Sequence, residues 1–151
     1  KAVLFLLMLS VHFTWAQKKG EKIPLGEVLE SPPKIVKTNF DKAHPNAHES
    51  WQMELNNYLA DYVDDSTNIE YNVIYDKNGN LIRTDRVVNE TSYPGPIKDY
   101  HDKYYPNEKY NVWQREDKDG RGTTYYSRHK GGTSYFDKNG NYIPAKRDTI
   151  K

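Results

Sequence analysis

The side chains able to do acid–base or metal chemistry are few in this 151-residue chain, and their spacing works against that chemistry. His44 and His48 have the i, i+4 spacing at which two helical imidazoles share a metal, but Pro45 between them breaks the helix that would align them. His101 and His129 have no partner at ligand spacing and read as surface or strand residues. Glu54 and Glu116 each follow a tryptophan by three residues, and a pair of carboxylates is what glycoside hydrolysis uses. Their equivalent places in an internal repeat, described below, favour a structural role. No Gly-x-Ser-x-Gly elbow, P-loop or dinucleotide fingerprint occurs. Gly131 and Gly132 precede strand-type residues, not a helix N-terminus that could hold phosphate, and read as a hairpin turn. Without cysteine, thiol catalysis and cysteine-ligated zinc are excluded. The expectation is no catalytic residue, no metal and no cofactor.

Composition narrows the class. Lys plus Arg number 22 against 21 Asp plus Glu, so the basic excess that holds phosphate backbones is missing and nucleic acid is not an expected partner. Mean hydropathy is −0.99, low for a globular chain. Disordered chains are aromatic-poor, however, and here 13 tyrosines all lie beyond residue 16. Tyrosine takes the place of leucine, and a thin core on one sheet face is expected.

Residues 1–16 combine Lys1, an apolar run from Ala2 to Leu9, and small residues at Thr14 and Ala16. This is the pattern of a cleaved secretory signal, cut before Gln17. The run is interrupted at Ser10 and His12 and falls short of the ~20 apolar residues that span a bilayer. A bacterial lipoprotein needs a cysteine at the cut, so a soluble periplasmic or secreted protein is expected, with no membrane span after cleavage.

The remainder is organised by a repeat. DKNGN occurs at 76–80 and again at 137–141, 61 residues on. The same offset aligns Asp41, Lys42, Pro45 and Asn46 with Asp102, Lys103, Pro106 and Asn107. Trp51, Gln52 and Glu54 recur at an offset of 62 as Trp113, Gln114 and Glu116, one residue having been inserted before them. Shared offsets over separate blocks mark a duplication. Its units are 31–89 and 92–143, preceded by a linker over 17–30 and followed by a polar tail over 144–151. Each unit opens with a helix: Pro32 and Pro33, or Pro94 and Pro96, lie at its start, and Pro45 or Pro106 ends it. Period-two alternation follows, as in Trp51, Met53 and Leu55, and predicts strands. The fold class expected is α+β: a tandem repeat of helix plus four-stranded antiparallel meander, with the helices packed on one face of the sheet. In each DKNGN, Asn-Gly predicts a tight hairpin turn with both central residues at positive φ. Its glycine is fourth from the aspartate, where a calcium loop needs it sixth.

A helix ending in Tyr-Pro or His-Pro, a strand with Trp-Gln-x-Glu, a tyrosine-rich strand and Tyr/Phe-Asp-x-Asn-Gly-Asn together resemble the PepSY-like, beta-lactamase-inhibitor-like domain of secreted Gram-negative proteins. The second unit matches best, through Pro94, Tyr105, Pro106, Trp113, Tyr125, Tyr126, Tyr135, Phe136, Asp137, Gly140 and Asn141. The resemblance implies a helix-plus-antiparallel-sheet fold and export, and it carries over no catalytic residue. Fold likeness transfers no function, so inhibition does not follow from it.

The tyrosines remain. Tyr58 and Tyr62 share one strand face, Tyr71 and Tyr75 another, which predicts cross-strand aromatic ladders. Helices cover only one face of a sheet, and tyrosines left on the open face would form an amphipathic binding surface. Tyr58, Tyr62, Tyr71, Tyr75, Tyr125 and Tyr135 are the candidates. The function expected is a non-catalytic exported binding module, an inhibitor or regulator of an envelope enzyme, acting on a protein partner through the open sheet face. The alternative is a periplasmic protein that binds a small ligand or glycan by stacking.

Overall fold

The computed structural model describes residues 27–118 and 122–144. The expected signal segment lies outside them, as do residues 145–151 of the tail. In chain order the elements are β1 (Glu27–Leu29), α1 (Lys34–Ala43), β2 (Ser50–Glu54), β3 (Asn57–Asp64), β4 (Ile69–Tyr75), β5 (Leu81–Val87), a 3₁₀ turn (Glu90–Ser92), α2 (Gly95–Tyr104), β6 (Tyr110–Asp117), β7 (Thr123–His129), β8 (Gly132–Phe136) and β9 (Tyr142–Ile143).

All nine strands form one antiparallel sheet in sequence order, β1 to β9. This corrects the expected tandem of helix-plus-four-stranded units. The architecture is a single sheet that dominates the fold, with two ten-residue helices set on it. The reason lies in the edges. Four strands ending at β5 would leave a row of unpaired backbone groups, a standing liability. Instead β5 pairs with β6 from Arg83↔Asp117 to Val87↔Trp113, so the ladder has no break in the middle. Residues 27–29, within the stretch read as a linker, add β1 against β2.

Directly paired residues share a sheet face, so the register sorts every side chain. One face carries Trp51, Ala60 and Val73, then Val112, Ser127 and Ser134 further along the sheet. Both helices rest on it. Val36 and Phe40 of α1 pack with Trp51, Ala60, Tyr62, Val73 and Tyr75, and Ile97 of α2 packs with Val112, Phe136 and Tyr93. Phe40 is fully buried and meets Trp51, Tyr62 and Tyr75 edge-on, the favoured geometry for aromatic pairs.

Both helices begin directly after a proline, Pro33 or Pro94, whose φ of −54° suits a helix entrance. Each ends before a residue, His44 or Tyr105, whose N–H still bonds back to the helix. The two DKNGN turns match bond for bond. Asp76 Oδ1 accepts from the N–H groups of Asn78 and Asn80, and Asp137 does the same for Asn139 and Asn141. Only the glycines, Gly79 and Gly140, have positive φ here. The turns are therefore three-residue loops with a glycine bulge, not the two-residue turns expected, because the aspartate cap holds the asparagine at ordinary φ. The two-residue geometry occurs between β2 and β3, where Leu55 and Asn56 both have positive φ.

Candidate functional site

The ladder places five of the six candidate tyrosines under the helices. Tyr62 and Tyr75 are buried in the α1 cluster, with Tyr58 and Tyr71 packed against it, and Tyr125 packs against the α2 cluster. Tyr62 stacks on its cross-strand partner Tyr71 at 5.3 Å, a ladder of the kind the spacing suggested. Burial pushes the Tyr62 phenol up to about 12, and its hydroxyl shares a 2.9 Å hydrogen bond with His44 Nδ1. Tyr135 alone of the six lies on the opposite face, paired with Tyr126 and 46% exposed.

That opposite face is built differently. Trp51 and Trp113 open the same Trp-Gln-x-Glu motif, yet they point to opposite sides. Trp51 lies beneath α1, whereas Val112 takes the matching place beneath α2 and Trp113 turns to the other face, opposite Val87 and Tyr126. The backbone keeps its 61-residue correspondence, since Ala47 N–H bonds His44 O just as Glu108 N–H bonds Tyr105 O. The inserted residue therefore slides the motif by one along the strand, which reverses every side chain in it. Glu54 and Glu116 are separated by the thickness of the sheet for the same reason. Glu54 holds Arg83 on the open face, while Gln114 meets Arg86 on the helix face. The paired-carboxylate chemistry has no geometry here.

Trp113 enters a compact aromatic and charged group. Its ring lies parallel to Tyr126, and the Arg128 guanidinium sits 4.9 Å from the Trp113 ring centre and 5.4 Å from that of Tyr126. Below them Asp85, 1% exposed, accepts from Arg115 (3.2 Å), Arg83 (3.3 Å) and the Tyr126 hydroxyl (3.1 Å). A buried carboxylate with this many donors is compensated, and removing it would take from Arg115 its carboxylate partner while Arg83 kept Glu54. Burial and the negative Asp85 beside it push the Tyr126 phenol far up, so it stays a hydrogen-bond donor. Burial would lower Arg115, but the charge of Asp85 outweighs it and the net shift is upward.

The open face is also curved. On a flat sheet β3 and β7 would lie about 19 Å apart, four strand spacings. Yet Leu59, Asp61 and Asn72 from β3 and β4 line one cleft of about 440 Å³ with Arg128 and Thr133 from β7 and β8. The sheet bends toward this side, which explains why Leu59 and Ile74 are almost wholly buried with no helix above them. Asn72 is buried with its Oδ1 unpaired among the described residues.

The histidines correct another expectation. His101 is not at the surface: it is 1% exposed, stacked on Tyr110 at 3.7 Å, with Nε2 2.7 Å from Ser127 Oγ. Burial, reinforced by the neighbouring His129, brings its pKa down to about 4. His129 stands between Glu108 and Ser134, 3.3 Å from each, which has the outline of a catalytic relay. The Gly131 N–H also points at Nδ1, so Glu108 and the Gly131 backbone compete for the same ring nitrogen. Among the described residues no group of three His, Asp or Glu side chains could hold a metal, and no helix is long and apolar enough to cross a membrane.

Sequence reasoning missed Asp85, Arg115, Arg128 and the reversal of Trp113. Only the odd offset, 62 in place of 61, carried that signal.

No protein-family profile matches the chain, and no curated protein is similar to it. Solved structures are. A BLIP-like protein from Bacteroides fragilis is 22% identical, with a TM-score of 0.56 over 77% of this chain and 86% of that one. The fold is similar to that of BLIP-like proteins. A protein from Bacteroides eggerthii, provisionally assigned by its name to the periplasm, is 13% identical with a TM-score of 0.63 over 76% of this chain and 87% of that one. A DUF2874 family protein from Bacteroides ovatus is 17% identical with a TM-score of 0.60, covering 77% and 87%. At these identities the likeness concerns the fold alone.

Proposed function

We propose that this chain is an exported, non-catalytic binding module that engages a protein partner through the curved face opposite its helices, as an inhibitor or regulator of an envelope or secreted enzyme. The observation that carries the reading is the 46% exposed Tyr135 beside Arg128 on that face, both resting on the buried rings of Trp113 and Tyr126. Tryptophan, tyrosine and arginine are the residues that dominate binding energy at interfaces, above all where rings are already packed and lose little freedom on binding. The Asp85 network fixes their positions from below. Export is supported by the signal-like segment at residues 1–16, and the BLIP-like and periplasmic neighbours are compatible with this role.

The test is crosslinking capture from envelope extract, followed by affinity measurement on the purified partner. Crosslinks should map to the Tyr135 and Arg128 side, and Tyr135→Ala with Arg128→Ala should weaken binding by about tenfold or more. Crosslinks confined to the helices, with the double variant binding normally, would overturn the choice of face. Substrate turnover by the purified chain would overturn the non-catalytic assignment.

A further inference from the structure

On the other side of the sheet, at the C-terminal end of α2, Tyr100, Tyr104, Tyr105 and Tyr142 line a pocket of about 450 Å³. Tyr100 is at its centre, held edge-on against Phe136 of the core. Tyr142 stacks on it at 4.6 Å and 18°, while Tyr104 and Tyr105 lean in at 5.0 and 5.9 Å. Tyr104 and Tyr142 are 57% and 43% exposed, so their rings face water.

The first half of the chain shows that the fold does not require these rings. The helices start 61 residues apart and so do the DKNGN turns. The positions matching Tyr100, Tyr104, Tyr105 and Tyr142 are Asn39, Ala43, His44 and Leu81. The same contact of helix with hairpin forms there with none of these four phenols, Asn39 donating to Gly79 O at 2.8 Å.

We propose that the tyrosine pocket is a binding site for a neutral pyranose sugar. Three observations select that class. A cation cage needs ring faces set steeply around an ammonium, whereas Tyr100 and Tyr142 are nearly parallel and in stacking contact, and the Lys103 ammonium already lies 4.9 Å over the Tyr104 ring. An anion would meet the carbonyl end of α2, where the helix dipole is negative. A pyranose offers what remains, a flat C–H face for the rings and hydroxyls for the polar rim. The phenol hydroxyls supply that rim, the one of Tyr100 accepting from the buried Ser134 Oγ at 3.4 Å. The neighbouring Tyr100 raises the Tyr105 and Tyr142 phenols above their ordinary value, so both of these hydroxyls stay protonated.

This site is on the face away from Trp113 and Asp85 and does not depend on the protein partner. The test is an NMR titration of the full chain, following the tyrosine ring signals, with millimolar cellobiose, maltose, lactose and N,N′-diacetylchitobiose, and with tetramethylammonium chloride as the cationic probe. At least one disaccharide should shift the signals of these four rings and tetramethylammonium should not. Tyr104→Ala and Tyr142→Leu install the residues the first half carries, and each should weaken the response about tenfold with the rest of the spectrum unchanged. Silence from all four sugars, preference for tetramethylammonium, or unaltered binding by Tyr104→Ala, whose site is exposed at the helix end, would overturn the assignment.

Discussion

His101 stands where the first half of the chain has Phe40, and both side chains are fully enclosed. An imidazole in an aromatic site must stay neutral. Its Nε2 has Ser127, its Nδ1 has no partner among the described residues, and of the charges nearby His129 opposes protonation while Glu108 and Asp102 favour it. Burial decides the balance and holds the pKa near 4. In the unfolded chain the same group titrates near 6.5, so between those values the unfolded state binds more protons. Its contribution is complete above pH ~6.5 and is lost as pH falls toward 4, by on the order of 2–3 kcal/mol. Urea unfolding of wild type and His101→Phe across this range measures it. Wild type should lose stability relative to His101→Phe as pH falls, and a constant difference would mean that His101 is charged in the folded protein. The same residue shows a limit of reading from sequence: a lone histidine among tyrosines has the composition of a surface helix, and only the packing of α2 on β6 and β7 encloses it.

At the scale of elements, the two helices are seated by glycines in the turns that face them. A Cβ on Gly79 would come within 2.8 Å of Asn39 Nδ2, and one on Gly140 within 2.9 Å of Pro94 Cβ. Both glycines also have positive φ, at 80° and 83°. These two demands separate experimentally, because asparagine tolerates positive φ but still carries a Cβ. Gly140→Ala and Gly140→Asn should each cost about 2–3 kcal/mol in chemical denaturation, since the clash with Pro94 dominates. A mild effect of asparagine alone would assign the cost to φ. Helix ends and strand periods were legible here because prolines and alternation are local signals. The turn type was not, since the Asp76 and Asp137 caps compete with the Asn-Gly preference through bonds that sequence does not rank. Nor was the face of Trp113 legible, because one inserted residue reverses a strand's side chains without altering its motif. Five of the six candidate tyrosines lie beneath the helices, and the arginines and Asp85 of the open face have no pattern that marks them before the register is known.

For the whole molecule, the question is whether a chain with a repeat in its sequence behaves as two bodies or one. A repeat visible in sequence suggests separable units, but the middle of the sheet is continuous and its seam is reinforced on the open face. Asp85 belongs to β5, Arg115 and Tyr126 to β6 and β7, and Arg83 extends the chain of contacts to Glu54 on β2. Charge-assisted bonds across the seam, in a buried setting, couple the two halves more strongly than a ladder alone. The chain should therefore unfold in one transition, and the indole N–H signals of Trp51 and Trp113, one in each half, should vanish at the same urea concentration. Asp85→Asn keeps the shape while removing the charge that both arginines face. It should lower both midpoints together, by about 3 kcal/mol, because the partly buried Arg115 loses the counter-charge of Asp85 and Arg83 keeps only that of Glu54. Two separate midpoints in the wild type would show that the seam is only a contact between independent units. A shift of the Trp113 signal alone in Asp85→Asn would show that the network serves the second half and not the junction.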